Sequence, residues 1–129
     1  MIDKILELPL LLILAWLAGA ALWNVAGVVL IAMTGTGFAP TASLLVAGIL
    51  AAVALLLYLA ARSGGIGFAV LAALCAVLAF FGVYQAYVGD PSSWATPFWR
   101  WAGAALNFYG FVAGLFGAMK GIGARRKTG

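Results

Sequence analysis

The chain has 129 residues, of which 67% are hydrophobic and 8% are charged, and its net charge is +4. A water-soluble domain carries about a quarter of its residues as charged side chains, so this composition excludes an ordinary soluble fold. The basic residues lie at the ends of the chain and between apolar runs. This placement indicates orientation in a membrane rather than binding of nucleic acid.

Two uncharged stretches, residues 8–61 and 63–89, dominate the chain. A helix that crosses a bilayer needs about 20 apolar residues, so the chain has room for four spans and for no soluble lobe. Strands are excluded because the apolar runs do not alternate, and an open sheet edge is not viable in lipid. We therefore predict a single membrane domain over residues 1–129, an all-α integral membrane protein with four transmembrane helices in an up-down-up-down antiparallel bundle.

Helix 1 is predicted over about residues 8–33, after a short segment that contains charged side chains. Its apolar run is longer than the core of a signal peptide, so we interpret it as an uncleaved span. Residues 34–41 are rich in glycine and threonine and form a connection. Thr41 or Ser43 is expected to cap helix 2, which is predicted over about residues 42–61.

A glycine-rich turn separates helix 2 from helix 3, which is predicted over about residues 66–88. Residues 89–93 make the next connection. Helix 4 is predicted over about residues 97–121 and is followed by a basic tail, residues 122–129. The short connections predict that successive helices are antiparallel neighbours.

The basic residues predict which side of the membrane each end occupies. In an up-down-up-down bundle the two termini and the middle turn share one side, with Lys4, Arg62, Lys120, Arg125, Arg126 and Lys127. The other side holds Arg100 as its only basic residue, near Asp90. The positive-inside rule then places the N- and C-termini in the cytoplasm. The alanine- and glycine-rich composition suggests a bacterial inner membrane.

Aromatic residues collect around the connection between helices 3 and 4. The set that we expect to anchor this end at the lipid headgroups is Tyr84, Tyr87, Trp94, Trp99, Arg100 and Trp101. Arg100 could reach lipid phosphates or stack on a tryptophan face. The alternative is that this aromatic cluster binds a ligand or a partner's loop.

Helix 4 carries a stripe of small residues at steps of four and three, a spacing typical of left-handed helix packing: Gly103, Asn107, Gly110, Gly114, Gly117 and Gly121. Helix 3 carries a comparable set: Ala69, Ala72, Ala76 and Ala79. We predict that helices 3 and 4 form a close antiparallel hairpin with these stripes facing each other. A dimerisation surface is the alternative, because the stripe also contains GxxxG spacings.

Asn24 and Asn107 are the strongly polar side chains nearest the predicted mid-depth of the membrane. A carboxamide in hydrocarbon is costly unless it is paired. We predict that the two form an intramembrane polar pair, bonded to each other or to backbone carbonyls, at about 1 kcal/mol. The alternative is a polar site for a permeating solute.

Residues for catalysis or metal binding are sparse in this sequence. It contains no histidine, no Asp or Glu within a predicted span, and Cys75 as its single cysteine. A carboxylate relay therefore has no carrier inside the membrane, and the commonest general base is missing. We expect no enzyme activity, no catalytic or metal-binding residue and no cofactor, and we expect bound lipid.

Two families of small membrane proteins offer comparisons. Small multidrug transporters carry a glutamate in the first helix, and this sequence has none there. The segment Gly35–Pro40, with the apolar run to Arg62, resembles the loop and second helix of the small membrane subunit of tripartite tricarboxylate transporters. Thr36 and Ala39 stand where that family has a proline and an aromatic residue, and the rest of the chain does not follow the pattern.

These observations lead to two expectations about function. The first is a non-catalytic subunit that packs against and stabilises a larger respiratory, photosynthetic or transport assembly in the membrane. The second is a homo-oligomeric small transporter or channel, or the small membrane subunit of a multi-component solute transporter. In both cases the partners are the bilayer and other membrane subunits, and nucleic acid is not among them.

Overall fold

The computed structural model describes residues 2–40 and 42–128, without the side chains of residues 125–128. In this part of the chain there are four long helices and no strand: α1 (Lys4–Thr34), α2 (Leu44–Ser63), α3 (Gly65–Val88) and α4 (Pro97–Thr128). Each of the four is long and apolar enough to cross a membrane, which indicates a membrane protein. The predicted all-α class with four helices of spanning length is confirmed.

Local caps set the limits of α1. The Asp3 carboxylate accepts a hydrogen bond from the Ile5 N–H at 3.1 Å, so the helix begins at Lys4 rather than near residue 8. At the other end Gly35 adopts a left-handed conformation with φ 78°, and its N–H donates to the Ile31 carbonyl. Glycine accepts this conformation without steric cost, and α1 therefore stops here.

A single residue separates α2 from α3. Ser43 caps the start of α2 by accepting a hydrogen bond from the Val46 N–H at 3.3 Å, while Thr41, the other predicted cap, lies outside the described residues. Gly64 joins the two helices with φ 154° and ψ 163°, a conformation that is essentially restricted to glycine. The chain can therefore reverse within one residue, and both helices extend further into the predicted turn.

The backbone of α4 continues to Thr128, beyond the predicted end of helix 4 at residue 121 and into the predicted basic tail. Glycine is a poor helix former, and Gly121 and Gly123 suggest an earlier end. Tertiary contacts oppose that tendency. A Cβ atom at Gly121 would lie 2.7 Å from the Gly65 carbonyl oxygen, and one at Gly123 would lie 3.7 Å from the Ile5 side chain. The last turns of α4 are therefore packed against α3 and α1.

The four helices form a ring in which each helix contacts its two neighbours. The α3–α4 pair packs most extensively, α1 contacts both α4 and α2, and the α2–α3 pair has the least contact of the four. The core between them is apolar, with Ile13, Leu17, Leu57, Phe68 and Cys75 fully buried. Because α1 and α3 lie between them in this ring, α2 and α4 stand at opposite corners of the bundle.

The two ends of the bundle differ. At one end Asp3, Arg62 and Ala124 line a common recess, so the first residues of the chain, the α2–α3 turn and the last turns of α4 meet there. We call this the terminal end. At the opposite end the Ala95 N–H donates to the Phe38 carbonyl at 3.2 Å, which joins the connections of residues 35–43 and 89–96. We call this the loop end.

Candidate functional site

The glycines in the middle of α4 lie directly against α3. A Cβ atom at Gly114 would stand 2.7 Å from both the Ala72 carbonyl oxygen and the Ala76 nitrogen. At Gly117 it would lie 3.0 Å from the Ala72 Cβ, and at Gly121 it would lie 2.8 Å from the Ala69 Cβ. These contacts leave no room for side chains, so the two helix backbones touch. The two stripes face each other over this length, with Ala79 also buried.

Toward the loop end the glycine stripe of α4 accommodates tryptophan rings instead. The Trp16 indole lies directly over Gly110, where an added Cβ would overlap the ring. A Cβ atom at Gly103 would lie 3.3 Å from the Trp94 ring and 3.4 Å from the Trp23 ring. The stripe is therefore occupied within the chain by α3, by α1 and by the loop-end indoles.

Asn24 and Asn107 each have their own partners in the structure. The Asn24 amide donates to the Ala20 carbonyl at 2.9 Å and accepts from the Ser43 N–H at 3.2 Å, which ties α1 to the start of α2. The Asn107 oxygen accepts from the Trp16 indole N–H at 3.4 Å. Among the described residues no hydrogen bond joins the two asparagines, although both line the same cavity.

This cavity lies in the loop-end half of the bundle and has a volume of about 250 Å³. Residues of all four helices and of both loop-end connections line it. Three carboxamides face it, from Asn24, Gln85 and Asn107, and the Trp23 and Trp94 indoles form part of its wall. None of the described residues that line it is charged. We call this space the amide cavity.

Several polar groups of the amide cavity have no protein partner in the described part of the chain. The Gln85 amide and the Asn107 Nδ2 make no hydrogen bond there, and neither do the indole nitrogens of Trp23 and Trp94. No fully buried polar side-chain atom of the described residues lacks a partner. The free groups are therefore not fully buried, and Gln85 is an exposed residue, so a bound molecule or water can reach them.

The amide cavity opens between α2 and α3. These helices are close near their joint, where a Cβ at Gly67 would lie 3.7 Å from the Ala60 Cβ. Farther from the joint the cavity separates Val46 of α2 from Leu78 and Phe81 of α3, and all three side chains are exposed. On the terminal side the fully buried core closes the bundle. The cavity therefore has exposed lining residues between α2 and α3 and also at the loop end, at Pro40 and Gln85, and it is not a path across the bundle.

The predicted aromatic anchors divide into two groups. Tyr84, Tyr87 and Trp101 are exposed on the bundle surface, where anchoring at headgroups requires them. Trp99 instead stacks on Phe38 at a centroid distance of 4.7 Å, and Phe38 is only 6% exposed. Trp94 lines the amide cavity. Part of the cluster therefore holds the loop end together and shapes the cavity.

Arg100 closes the C-terminal end of α3. Its guanidinium donates to the carbonyls of Ala86 and Tyr87, the latter at 3.2 Å, and lies over the Trp101 ring at 4.9 Å. The last carbonyls of a helix have no partner within the helix, and a cation there also favours the helix dipole. The positively charged group of Arg100 is thereby bonded to the α3 backbone, and Arg100 is not among the described residues that line the amide cavity.

The remaining titratable groups lie away from the cavity. The Ser92 N–H donates to the Asp90 carboxylate at 2.9 Å and holds the pKa of this exposed group below its usual range. Cys75 is buried in the core. No group of three His, Cys, Asp or Glu side chains that could hold a metal occurs among the residues searched, those that the structure describes. The arrangement offers hydrogen bonds and apolar contact to a bound molecule.

Three residues that contribute to this site, Gln85, Ser43 and Trp16, were not predicted from the sequence to belong to it. Gln85 had a usable signal, because it is the only carboxamide of this chain besides the two asparagines. It also follows Leu78 and Phe81 at helical spacing, which places the three on one face of α3. Trp16 and Ser43 carried no such signal, since their contacts join helix positions that are distant in sequence.

The chain matches no protein-family model, no curated protein and no solved structure. The resemblance of residues 35–62 to one transporter subunit therefore receives no further support.

Proposed function

We propose that this protein is a non-catalytic membrane subunit that packs against and stabilises a larger membrane protein. Its four helices cross the bilayer alternately, with both termini in the cytoplasm. The observation that carries the proposal is an exposed face of small residues on α2, which has no partner within the described chain.

The small-residue face of α2 consists of Gly48, Ala51 and Ala52, all exposed. A Cβ atom at Gly48 would meet nothing within 4 Å, in contrast to Gly114. Glycine within a helix costs about 1 kcal/mol relative to alanine, and contact with lipid tails does not require it. Small residues at four-residue spacing let a second helix approach closely, where van der Waals contact stabilises the pair. A transmembrane helix of a larger protein fits this face.

The distribution of charge supports the proposed orientation. Lys4, Arg62 and Lys120 belong to the terminal end, while Arg100 belongs to the loop end. The side chains of Arg125, Arg126 and Lys127 lie outside the described residues. An excess of basic residues marks the cytoplasmic side of a membrane protein. We therefore propose that the terminal end is cytoplasmic, and a bacterial inner membrane is the setting that the composition favours.

A homo-oligomeric transporter or channel is the second candidate function, and the amide cavity is the observation that favours it. The polar groups that line it could form hydrogen bonds to a bound solute. The cavity does not continue to the terminal end, because Leu17, Leu57 and Cys75 are fully buried. A transport cycle would need this core to open, so the subunit role remains our proposal.

Purification of the tagged full chain from its native membrane tests the proposed function. We expect a larger membrane protein to co-purify at fixed stoichiometry and to be lost from the Gly48→Leu variant, which fills the small-residue face. Ala105→Leu is the matched control, because Ala105 is an exposed small residue on α4, across the bundle from α2. It should retain the partner.

Two outcomes contradict the proposed function. One is a partner that binds wild type, Gly48→Leu and Ala105→Leu equally. The other is a self-assembled oligomer of this chain alone that conducts a solute in liposomes, which would establish the transporter role instead.

A further inference from the structure

We propose that the amide cavity binds the uncharged, carbonyl-bearing head of an amphipathic molecule whose alkyl tail leaves between α2 and α3. This proposal goes beyond the partner-binding role and does not depend on it. It rests on the free donors, the lack of charge and the lateral opening of the cavity.

The free groups of the amide cavity are mainly hydrogen-bond donors. The Asn107 oxygen is occupied by Trp16, so its Nδ2 is the group left to bind a ligand. Indole nitrogens donate and do not accept, and the rings of Trp23 and Trp94, whose nitrogens have no partner within the described chain, line the cavity. Gln85 adds an amide that can donate as well. A carbonyl oxygen, which only accepts, is the complementary group.

The cavity selects against charged heads. No described lining residue carries a charge, and the guanidinium of Arg100 is bonded to the α3 carbonyls. Burial of an ion without a counter-charge in such a site is costly, whereas an uncharged carbonyl needs only hydrogen bonds. Phosphate and carboxylate heads are therefore disfavoured, and ester or ring carbonyls are favoured.

The lateral opening suits an alkyl tail. Val46, Leu78 and Phe81 line the cavity on its α2 and α3 sides, and all three are exposed and apolar. A volume of about 250 Å³ lies just below the roughly 300–1,000 Å³ of pockets that enclose a whole small ligand. The cavity thus has room for a head group, while a tail would continue into the surrounding lipid.

Two kinds of membrane molecule carry this chemistry. Neutral glycerolipids such as diacylglycerol present ester carbonyls, and prenyl quinones present ring carbonyls. Photoreactive analogues distinguish them. The full-length chain is placed in nanodiscs with a diacylglycerol probe, a prenyl-benzoquinone probe or a phosphatidic acid probe, each with a diazirine in its tail. Peptide mass spectrometry then locates the adducts.

We expect the diacylglycerol probe, the quinone probe or both to label peptides that contain Val46, Leu78 or Phe81, and the phosphatidic acid probe to label them several-fold less. Gln85→Leu should lower this labelling roughly twofold to tenfold, the value of one hydrogen bond. Asn107→Leu should lower it at least as much. The Gln85 side chain makes no hydrogen bond within the described chain, so its variant is expected to fold even if the Asn107 variant does not.

Tyr84→Leu is the matched control, because Tyr84 precedes Gln85 and is exposed like it, but does not line the amide cavity. Its labelling should equal that of wild type. Labelling that is unaffected by Gln85→Leu in folded protein overturns the proposal. So does labelling spread evenly over all exposed helix faces, or equal labelling by the phosphatidic acid probe. These results leave the co-purification experiment untouched, so the two proposals can fail separately.

Discussion

Gly114 and Gly48 show how the same residue type serves opposite purposes in two helices. Gly114 lies against the α3 backbone, where any side chain would overlap backbone atoms. Gly48 faces open space. Helix propensity opposes both glycines equally, so the difference in their surroundings decides what a substitution does. At Gly114 the close approach of two helices compensates for the low helix propensity of glycine. At Gly48 no contact within the described chain compensates for it.

We expect Gly114→Ala to lower the free energy of unfolding by about 1–3 kcal/mol, because α3 and α4 must move apart. Gly48→Ala in the isolated chain should be neutral or stabilising by up to about 1 kcal/mol. Denaturant titration of the purified protein in detergent micelles measures both. Equal effects of the two substitutions would show that the α3–α4 contact is not as close as described.

At the scale of elements, the unequal packing of the four helix pairs creates the amide cavity. Gly64 joins α2 and α3 so tightly that they must touch near the joint. At the loop end α2 is held to α1 by the Asn24–Ser43 hydrogen bond, and α3 is held to α4 by Arg100. At the loop end α2 therefore packs toward α1, and α3 packs toward α4. Because they pack toward different neighbours, a gap remains between α2 and α3.

Paired cysteines test this divergence in a chain whose own Cys75 is replaced by alanine. The pair Ala60→Cys and Gly67→Cys should form a disulfide readily, because the Cβ separation of 3.7 Å falls within the usual range of about 3.5–4.5 Å. The pair Val46→Cys and Gly82→Cys, on either side of the cavity, should remain reduced. Gel mobility after mild oxidation measures both, and efficient cross-linking of the second pair would contradict the gap.

At the scale of the whole molecule, charge separates the two ends of the bundle. The terminal end contains most of the basic residues, and the loop end contains a single arginine whose guanidinium is bonded to the α3 backbone. Each lysine or arginine on the wrong side would have to cross the membrane during insertion. The asymmetry therefore favours one orientation of the bundle.

Labelling of single cysteines tests the orientation. Ser63 lies at the terminal end and Ser92 at the loop end, and both are exposed. In the Cys75→Ala background we expect Ser92→Cys to react with a membrane-impermeant maleimide on intact cells. Ser63→Cys should react only after the cells are permeabilised, and the cysteine-free parent should not react. The reverse pattern would invert the proposed topology.

Composition and local pattern alone decide the class of this protein and the number of its helices. In lipid every backbone polar group needs an internal partner, so long uncharged apolar runs can only become helices. The alternation of four and three between the glycines of α4 also identifies a packing face without reference to any neighbour. These features depend on residues close in sequence, which is why the sequence suffices for them.

The hydrogen-bond partners of the polar side chains could be identified only from the tertiary structure. Asn24 and Asn107 were expected to bond each other or backbone carbonyls. Asn24 bonds the Ala20 carbonyl and the Ser43 N–H, while Asn107 bonds Trp16, a residue far away in the chain. Gln85 joined the same cavity without having been assigned to it. A hydrogen bond requires donor and acceptor within about 3 Å, and small rotations of a helix change which groups meet that condition. Those rotations depend on the packing of all four helices together, and no local pattern encodes them.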